Sequence, residues 1–458
     1  MKLYSENKDY KLYQGNMLDM LDVIEPNTID SIVTDPPYEL NFMNKGWDNA
    51  GVSFNADTWK KCFEVLKPGG YLLAFGGSRT YHRIAVAIED AGFEIRDTII
   101  WLYGSGFPKS MNIGLAIDKK LGIESKRGER KTYVDGSKQR LTGSNGPFGD
   151  NKGRKDYELI PTSNLAKQWQ GWGTCLKPSF EPIIVARKPF KGSLVDNVIE
   201  NGVGGINIDE CRVETTETNR KGGATTNGNL GWKPSKKEYN DGRFPANTIL
   251  TYDETDFDEV CGGFPNTKNM TKTHTAKNSN NNVNFNASNQ VNVIGYQDSG
   301  SASRYFYCAK ASKKDRDEGL EEFDDKYMAF SNQAKAELKR GNVGFKGNED
   351  NPMNFVNSVS VRKNTHPTVK PTELMQYLVR LVTPNNGTIL DPFNGSGSTG
   401  KAVMYENKER NKNYKYIGIE LTEEYLPIAQ ARIEYVCGDK QHDISDDLSD
   451  LINVSRET

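Results

Sequence analysis

Between Tyr10 and Tyr103 the chain alternates short apolar runs with segments whose apolar residues recur every third or fourth position. YKLYQGN and DSIVT read as strands with a helix or turn between them. Trp59, Cys62, Phe63 and Leu66 share one helical face, and Lys67-Pro-Gly-Gly70 is expected to stop that helix. YLLAFGG reads as a buried strand, Ser78 to Ala91 as a helix ended by Gly92, and EIRDTIIWLYG as a further strand. Strands alternating with helices at this spacing predict an α/β fold with a doubly wound, mostly parallel sheet.

The regularity breaks twice. From Lys119 to Lys167 the period fades, and EPIIVARKP, residues 181–189, returns to a strand. From about Gly192 to Lys363 the chain is polar and rich in Gly, Asn and Thr; NSNNNVNFNASNQVN can bury little apolar area and reads as a surface loop. VGGINIDECRV, GRFPANTIL and SASRYFYCAKA carry enough apolar residues to pack, so a distinct loop-rich domain interrupting the sheet is expected. After His366 the α/β pattern resumes: TELMQYLVRLV is a helix with Thr372 as the expected N-cap, TILDPF a buried strand, GSGSTG a helix opening, YKYIGIEL a strand and EEYLPIAQARIEYV a closing helix. The expected divisions are a first half of the sheet domain at 1–118, a basic insertion at 119–170, a returning strand at 171–191, a recognition domain at 192–363, a second half of the sheet domain at 364–440 and an acidic tail at 441–458.

At 458 residues the chain has room for about two or three domains. Its six cysteines include no Cys-x-x-Cys pair and are joined by only four histidines, so reduced thiols and no metal site are expected. No long apolar run occurs and MKLYSENKDYK lacks a secretory signal, which predicts a soluble cytoplasmic protein without a membrane partner. A net charge of −2 gives no global attraction to a polyanion. Residues 119–167 differ, with 12 Lys or Arg against 6 Asp or Glu. Lys126, Arg127, Arg130 and Lys131 are the candidates there for contacts to phosphates.

Two motifs carry chemistry. Thr34-Asp-Pro-Pro-Tyr38 follows an apolar strand with a proline pair that cannot continue it. Residues before proline are extended, so Asp35 and Pro36 should present acceptors beyond the strand end beside the Tyr38 ring. Asp391-Pro-Phe-Asn-Gly-Ser-Gly-Ser-Thr-Gly400 is a glycine-rich strand-to-helix turn, where backbone approaches a ligand closely. Gly395, Gly397 and Gly400 satisfy a dinucleotide fingerprint, with Glu420 placed to bind ribose hydroxyls. A phosphate-binding loop is the poorer match, because Ala402 stands where Ser or Thr should meet magnesium. S-adenosyl-L-methionine is a third ligand that needs a glycine turn and a ribose acid, and this reading uses both motifs. An exocyclic amine donating its two hydrogens to Asp35 and the Pro36 carbonyl would be turned toward a sulfonium methyl, with Tyr38 stacked on the base. A base within a duplex must be flipped out to reach such a pocket.

With these motifs the sequence resembles the DNA amino-methyltransferases. Asp35, Pro36, Pro37 and Tyr38 match the family's catalytic motif, and Asp391, Pro392, Phe393, Asn394, Gly395, Ser396, Gly397 and Thr399 fall in its cofactor motif. His366-Pro-Thr-Val-Lys-Pro371 matches the segment that precedes the latter, and Glu420 the ribose acid. The catalytic motif comes first, which resembles the permuted beta class. FMNKGWD, GGSRTYHRIA, GSGFPKS, KPSFEPIIVARKP and SRYFYCAKAS are similar to its phage and prophage branch. The resemblance implies a permuted Rossmann-like methyltransferase fold with an inserted target recognition domain, S-adenosyl-L-methionine as cofactor and double-stranded DNA as partner. It implies adenine as the target, since the family's cytosine enzymes usually carry serine where Asp35 stands. The family often has Gly-Asp where this chain has Gly15-Asn16, and Asn16 would accept from the cofactor's adenine amine. Thr368 and Lys370 are candidates to hold the cofactor, and Trp47 and Asp48 to line the flipped-base pocket. The cytosine 4-amino group, a non-catalytic DNA-binding relative, and RNA or protein-glutamine substrates stay open at this point, as do a homodimer and a restriction nuclease partner.

Overall fold

Ile29–Thr34 is buried at every position, as a strand covered on both faces requires. It lies in the middle of a ten-stranded sheet in the computed structural model of the protein. The structure describes residues 2–40, 51–103, 110–130, 157–213, 242–252, 266–267, 274–275, 292–293, 300–301, 306–310, 313–329 and 359–438.

Numbering only this sheet, the strands are β1 (Lys2–Glu6), β2 (Tyr10–Gln14), β3 (Ile29–Thr34), β4 (Leu66–Phe75), β5 (Glu94–Tyr103), β6 (Phe180–Arg187), β7 (Thr248–Tyr252), β8 (Tyr307–Lys310), β9 (Thr388–Asp391) and β10 (Lys415–Glu420). Their order across the sheet is β1-β2-β10-β9-β3-β4-β6-β5-β7-β8. All run parallel except β1 and β6. The chain winds outward from β3 to β4 on one side and from β9 to β10 on the other. The carboxyl ends of β3 and β9 therefore flank a topological switch point, where ligands bind in open α/β sheets.

Alternation along β4 assigns its two faces. Leu73 and Phe75 pack with Leu374, Leu378 and Val403 from the helices Thr372–Val382 and Ser398–Arg410. Leu72 and Ala74 face Trp59, Cys62, Ile84 and Ile88 from the helices Ala56–Val65 and Tyr81–Asp90. Each such buried side chain contributes about 1.5–3 kcal/mol relative to exposure, so two covered faces hold the sheet rigid under the site.

Three local expectations are corrected. The helix Ala56–Val65 does stop just before Lys67-Pro-Gly-Gly70, but Leu66 leaves the helical face and these residues already belong to the strand, which begins at Leu66; the register jumps from the Ile29 and Leu66 pair to the Ser31 and Tyr71 pair. Pro68 and Gly69 sit in that irregularity, Gly69 with a left-handed φ of +84°. Thr372 is not the N-cap but the first helical residue after Pro371. Its amide and hydroxyl both donate to the Asp315 carboxylate, which caps the helix from another segment. GRFPANTIL and SASRYFYCAKA supply β7 and β8, which extend the main sheet beyond β5.

The chain divides into two compact units, Met1–Gly104 with Phe180–Thr458, and Ser105–Ser179. The smaller holds the helix Ile113–Lys120, capped by Asn112, the helix Asn164–Gln168, capped by Ser163, and an antiparallel pair Lys126–Arg130 and Tyr157–Ile160. Asp118 joins these elements by accepting from the amides of Thr162 and Ser163. Among the described residues no helix is long and apolar enough to cross a membrane.

Candidate active site at the carboxyl edge of the sheet

Both sequence motifs leave the sheet at this edge, one from β3 and one from β9. Thr34, the last residue of β3, donates its hydroxyl to Asp391 Oδ1 at 2.6 Å. Asp391 Oδ2 accepts from the Thr399 hydroxyl at 2.7 Å, and Oδ1 also accepts from the Phe393 amide at 3.1 Å. Burial raises the Asp391 carboxyl to about 6, with these donors opposing. Asp391 thus acts as the internal brace of the glycine turn. The Pro392-Phe393 step follows, and the Phe393 ring lies 6.3 Å from that of Trp59.

Gly395 and Gly397 both have left-handed φ, +52° and +71°, which lets the turn reverse into the helix Ser398–Arg410. The Gly395 amide donates to Glu420 Oε2 at 2.7 Å, and the Thr422 amide to Oε1 at 2.7 Å. Burial raises the Glu420 carboxyl to about 7 despite these bonds. Asn394 is held by the Tyr416 hydroxyl at 2.8 Å. Ser396 is held through its carbonyl by the buried Arg432 guanidinium at 2.8 Å. Asn16 lies at the end of β2, beside β10, where the Gly15 amide donates to the Glu420 carbonyl. Its carboxamide oxygen caps the helix Met17–Leu21 by accepting from Leu18 at 3.0 Å.

Asp35 follows β3 directly. Its Oδ2 accepts from Lys370 Nζ at 2.7 Å, whereas its buried Oδ1 meets no hydrogen-bond partner. Burial raises the Asp35 carboxyl above its ordinary value, Lys370 opposing. Burial works to lower the Lys370 ammonium, but Asp35 and Glu181 outweigh it and hold the group protonated. Pro36 is buried, and the Pro37 carbonyl is fixed by the Ser53 hydroxyl at 2.6 Å. The Tyr38 hydroxyl donates to Glu181 Oε2 at 2.7 Å, and its carbonyl accepts from Thr80 at 2.9 Å.

Lys370 therefore meets Asp35, although the sequence had suggested a cofactor contact for it. Thr368 donates its amide to His366 Nδ1 at 3.4 Å. Burial, with Lys370, Arg316 and Arg432 adding, lowers the His366 imidazole to about 3, so it stays neutral. Glu181 was missed: an acid opening a strand in EPIIVARKP gives no sign that antiparallel β6 brings it to this edge. Trp47, Asp48 and Lys131 lie outside the described residues. Lys126, Arg127 and Arg130 fall on the strand Lys126–Arg130 of the smaller unit, where Lys126 is exposed.

The donor set suits a ligand with a diol and an amino-acid end. Glu420 offers a buried carboxylate, Asn16 an exposed carboxamide on the adjoining strand, and the turn at Gly397 opens a helix N-terminus. An acceptor-bearing proline turn next to a glycine turn at a switch point defines an α/β enzyme that binds a nucleoside cofactor and works on a polar group. Comparison narrows the class: the sequence profile described as DNA methylase matches residues 29–431, and the protein belongs to that family. Its cofactor is S-adenosyl-L-methionine.

The chain is 24% identical over 227 residues to the type II methyltransferase M2.LlaDCHI of Lactococcus lactis subsp. cremoris, covering 45% of this chain and 82% of that one. It is 26% identical over 178 residues to the type II methyltransferase M.HindIII of Haemophilus influenzae, covering 38% and 43%. A shorter segment of 71 residues is 42% identical to the putative methylase YubD of Escherichia coli, covering 16% and 29%. Thus the chain spans under half the length of the second of these relatives and under a third of the last. Among solved structures it is similar to the cytosine-N4-specific PvuII DNA methyltransferase, at 13% identity and a TM-score of 0.39 over 97% of this chain and 92% of that one. The M1.HpyAVI–SAM complex gives 14% identity and a TM-score of 0.34 over 93% and 98%.

Proposed function

We propose that this protein is a site-specific DNA methyltransferase that places a methyl group on the 6-amino group of an adenine flipped out of double-stranded DNA. The observation that carries the reading is the Asp35 carboxylate, with one oxygen tied to Lys370 and the other buried without a partner. A buried unpaired acceptor is costly unless a ligand completes it. An amine entering beside Tyr38 would donate to Oδ1 and to the Pro36 carbonyl, which draws its lone pair out of conjugation with the ring.

In this reading Glu420 and Asn16 hold the nucleoside of S-adenosyl-L-methionine, and the turn from Asp391 to Thr399 carries its methionine part. The cofactor supplies an electrophilic methyl. Asp35 orients the amine, Tyr38 stacks on the base, and the proline pair keeps both stiff. The chain has no Pro-Cys dipeptide that would supply a thiol for attack on a ring carbon, in keeping with direct transfer to nitrogen. An acid at position 35, as in the adenine enzymes of the family, supports adenine. Lys126, Arg127, Arg130 and Lys131 would add sequence-independent grip on phosphates.

The test is to treat unmethylated duplex DNA with the purified protein and S-adenosyl-L-methionine, digest it to nucleosides and resolve them by mass spectrometry. The expected main product is 6-methyladenosine in its deoxy form. Methylated cytidine alone would overturn the choice of base, and transfer only to RNA or protein would overturn the choice of substrate.

A further inference from the structure

Because β6 runs against its neighbours, its first residues reach the edge where β3, β4 and β5 end. That places Glu181 3.4 Å from Lys370 Nζ, which also holds Asp35 at 2.7 Å. Glu181 also takes the Tyr38 hydroxyl on Oε2 at 2.7 Å and the Tyr103 hydroxyl on Oε1 at 3.3 Å. The ammonium is boxed by rings, with centroids of Phe75 at 5.0 Å, Tyr38 at 5.3 Å and Trp101 at 5.9 Å. Lys370 is 6% exposed in its side chain, so water does little to screen either pair.

We infer that Lys370 and Glu181 are positioning residues for the proposed methylation of an amine. Lys370 engages one oxygen of Asp35 and leaves Oδ1 as the acceptor that the amine meets, while Glu181 supplies the second negative charge that keeps the cluster anionic. Two carboxylates and one ammonium leave a net charge of −1. As the amine nitrogen bonds to the methyl carbon, the bond from that carbon to the sulfonium sulfur breaks and its electron pair leaves with the neutral thioether; the nitrogen becomes cationic and then sheds one proton to Asp35 Oδ1. A neutral Asp35 and Lys370 pair would offer that cation little, whereas the anionic cluster stabilises it where it forms. Glu181 also takes the Tyr38 hydroxyl, and so fixes the plane of the ring on which the base stacks.

The two partners act on Asp35 with opposite sign. Lys370 lowers its carboxyl pKa and Glu181 raises it, and the Tyr38 hydroxyl, which donates to Glu181, is a further titratable group beside the pair. Asp391 of β9 feels Asp35 as a neighbouring negative charge, Tyr103 of β5 acts through Glu181, and neutral His366 lies beside Lys370. Lys370→Gln should therefore raise the Asp35 midpoint, and Glu181→Gln should lower it.

The experiment reads the Asp35 carboxyl carbon by NMR across pH in the whole protein without cofactor, for wild type, K370Q, E181Q and the charge-preserving K370R. Opposed shifts in the two glutamine variants, with K370R close to wild type, are expected. The acid limb of methyl transfer to duplex DNA should move in the same two directions, with the calorimetric affinity for S-adenosyl-L-methionine unchanged in E181Q. Shifts of the same sign, or no shift in the near-isosteric E181Q, would overturn the inference. A wild-type protein that titrates as expected yet methylates no DNA would remove the proposed reaction instead, because the titration does not depend on turnover.

Discussion

Thr34 and Asp391 stand 357 residues apart in the chain and share a hydrogen bond of 2.6 Å, both fully or nearly fully buried. The bond ties the residue before the Asp-Pro-Pro turn to the residue that opens the glycine turn. Any slip of β9 along β3 would break it and shift the Pro-Pro turn relative to the glycine turn.

Thr34→Val keeps the shape and removes the donor. Asp391 would lose one of its three partners in a buried setting, which should cost about 1–3 kcal/mol of stability by denaturant unfolding. Methyl transfer should fall as well, since catalysis of this kind depends on sub-ångström placement. Unaltered stability would show that Thr399 and the Phe393 amide suffice as the brace.

Asp35→Ala removes the acceptor while leaving the glycine turn intact. Turnover should fall by about 10²-fold or more, with S-adenosyl-L-methionine affinity nearly unchanged by calorimetry. A variant that keeps more than about a tenth of the wild-type rate would contradict the role given to this carboxylate.

Glu420 predicts a pH dependence of two kinds. Its folded pKa, about 7, lies above the ordinary carboxylate value, so the group favours the folded state at low pH and that contribution is lost as pH rises through about 7. Between pH 5 and 8 the unfolding midpoint of the protein without cofactor should therefore decline less in Glu420→Gln than in wild type. Ribose hydroxyls favour the ionised acceptor, so S-adenosyl-L-methionine should bind more tightly as pH rises through about 7, releasing protons. Calorimetry in buffers of different ionisation enthalpy reads that release, which the Gln variant should lack.

Gly397 separates packing from ligand contact. A Cβ there would come 3.0 Å from Ala429 Cα in the helix Leu426–Cys437, and the residue holds a φ of +71°. Gly397→Ala should cost about 1–2 kcal/mol for the left-handed backbone alone, with further loss from the contact. Thermal unfolding should thus report the change before cofactor affinity does, because the added carbon faces a helix. Loss of affinity at wild-type stability would place the cofactor against this carbon instead.

The elements that build this site were legible wherever a local rule governs them. A proline pair cannot continue a strand, so the Asp35 turn announced itself. The glycines of 395–400 marked a turn into a helix, and the short apolar runs of β3, β4, β9 and β10 marked the sheet. Those features depend on backbone geometry within a few residues, and each residue type restricts it directly. Strand direction and partnership are different, because they depend on which chain segments meet across hundreds of residues. Nothing in EPIIVARKP indicates that β6 enters antiparallel between β4 and β5, yet that reversal is what carries Glu181 to the edge where Asp35 lies. The spacing around Lys370 is equally silent on whether its ammonium meets a cofactor or Asp35; the packing of residues 364–371 against the edge selects Asp35. Thr372 looked like a cap until Asp315, brought in by the fold, took the cap's place. Charge pairs at long sequence separation arise from packing, and they are the part of the site that local pattern leaves undetermined.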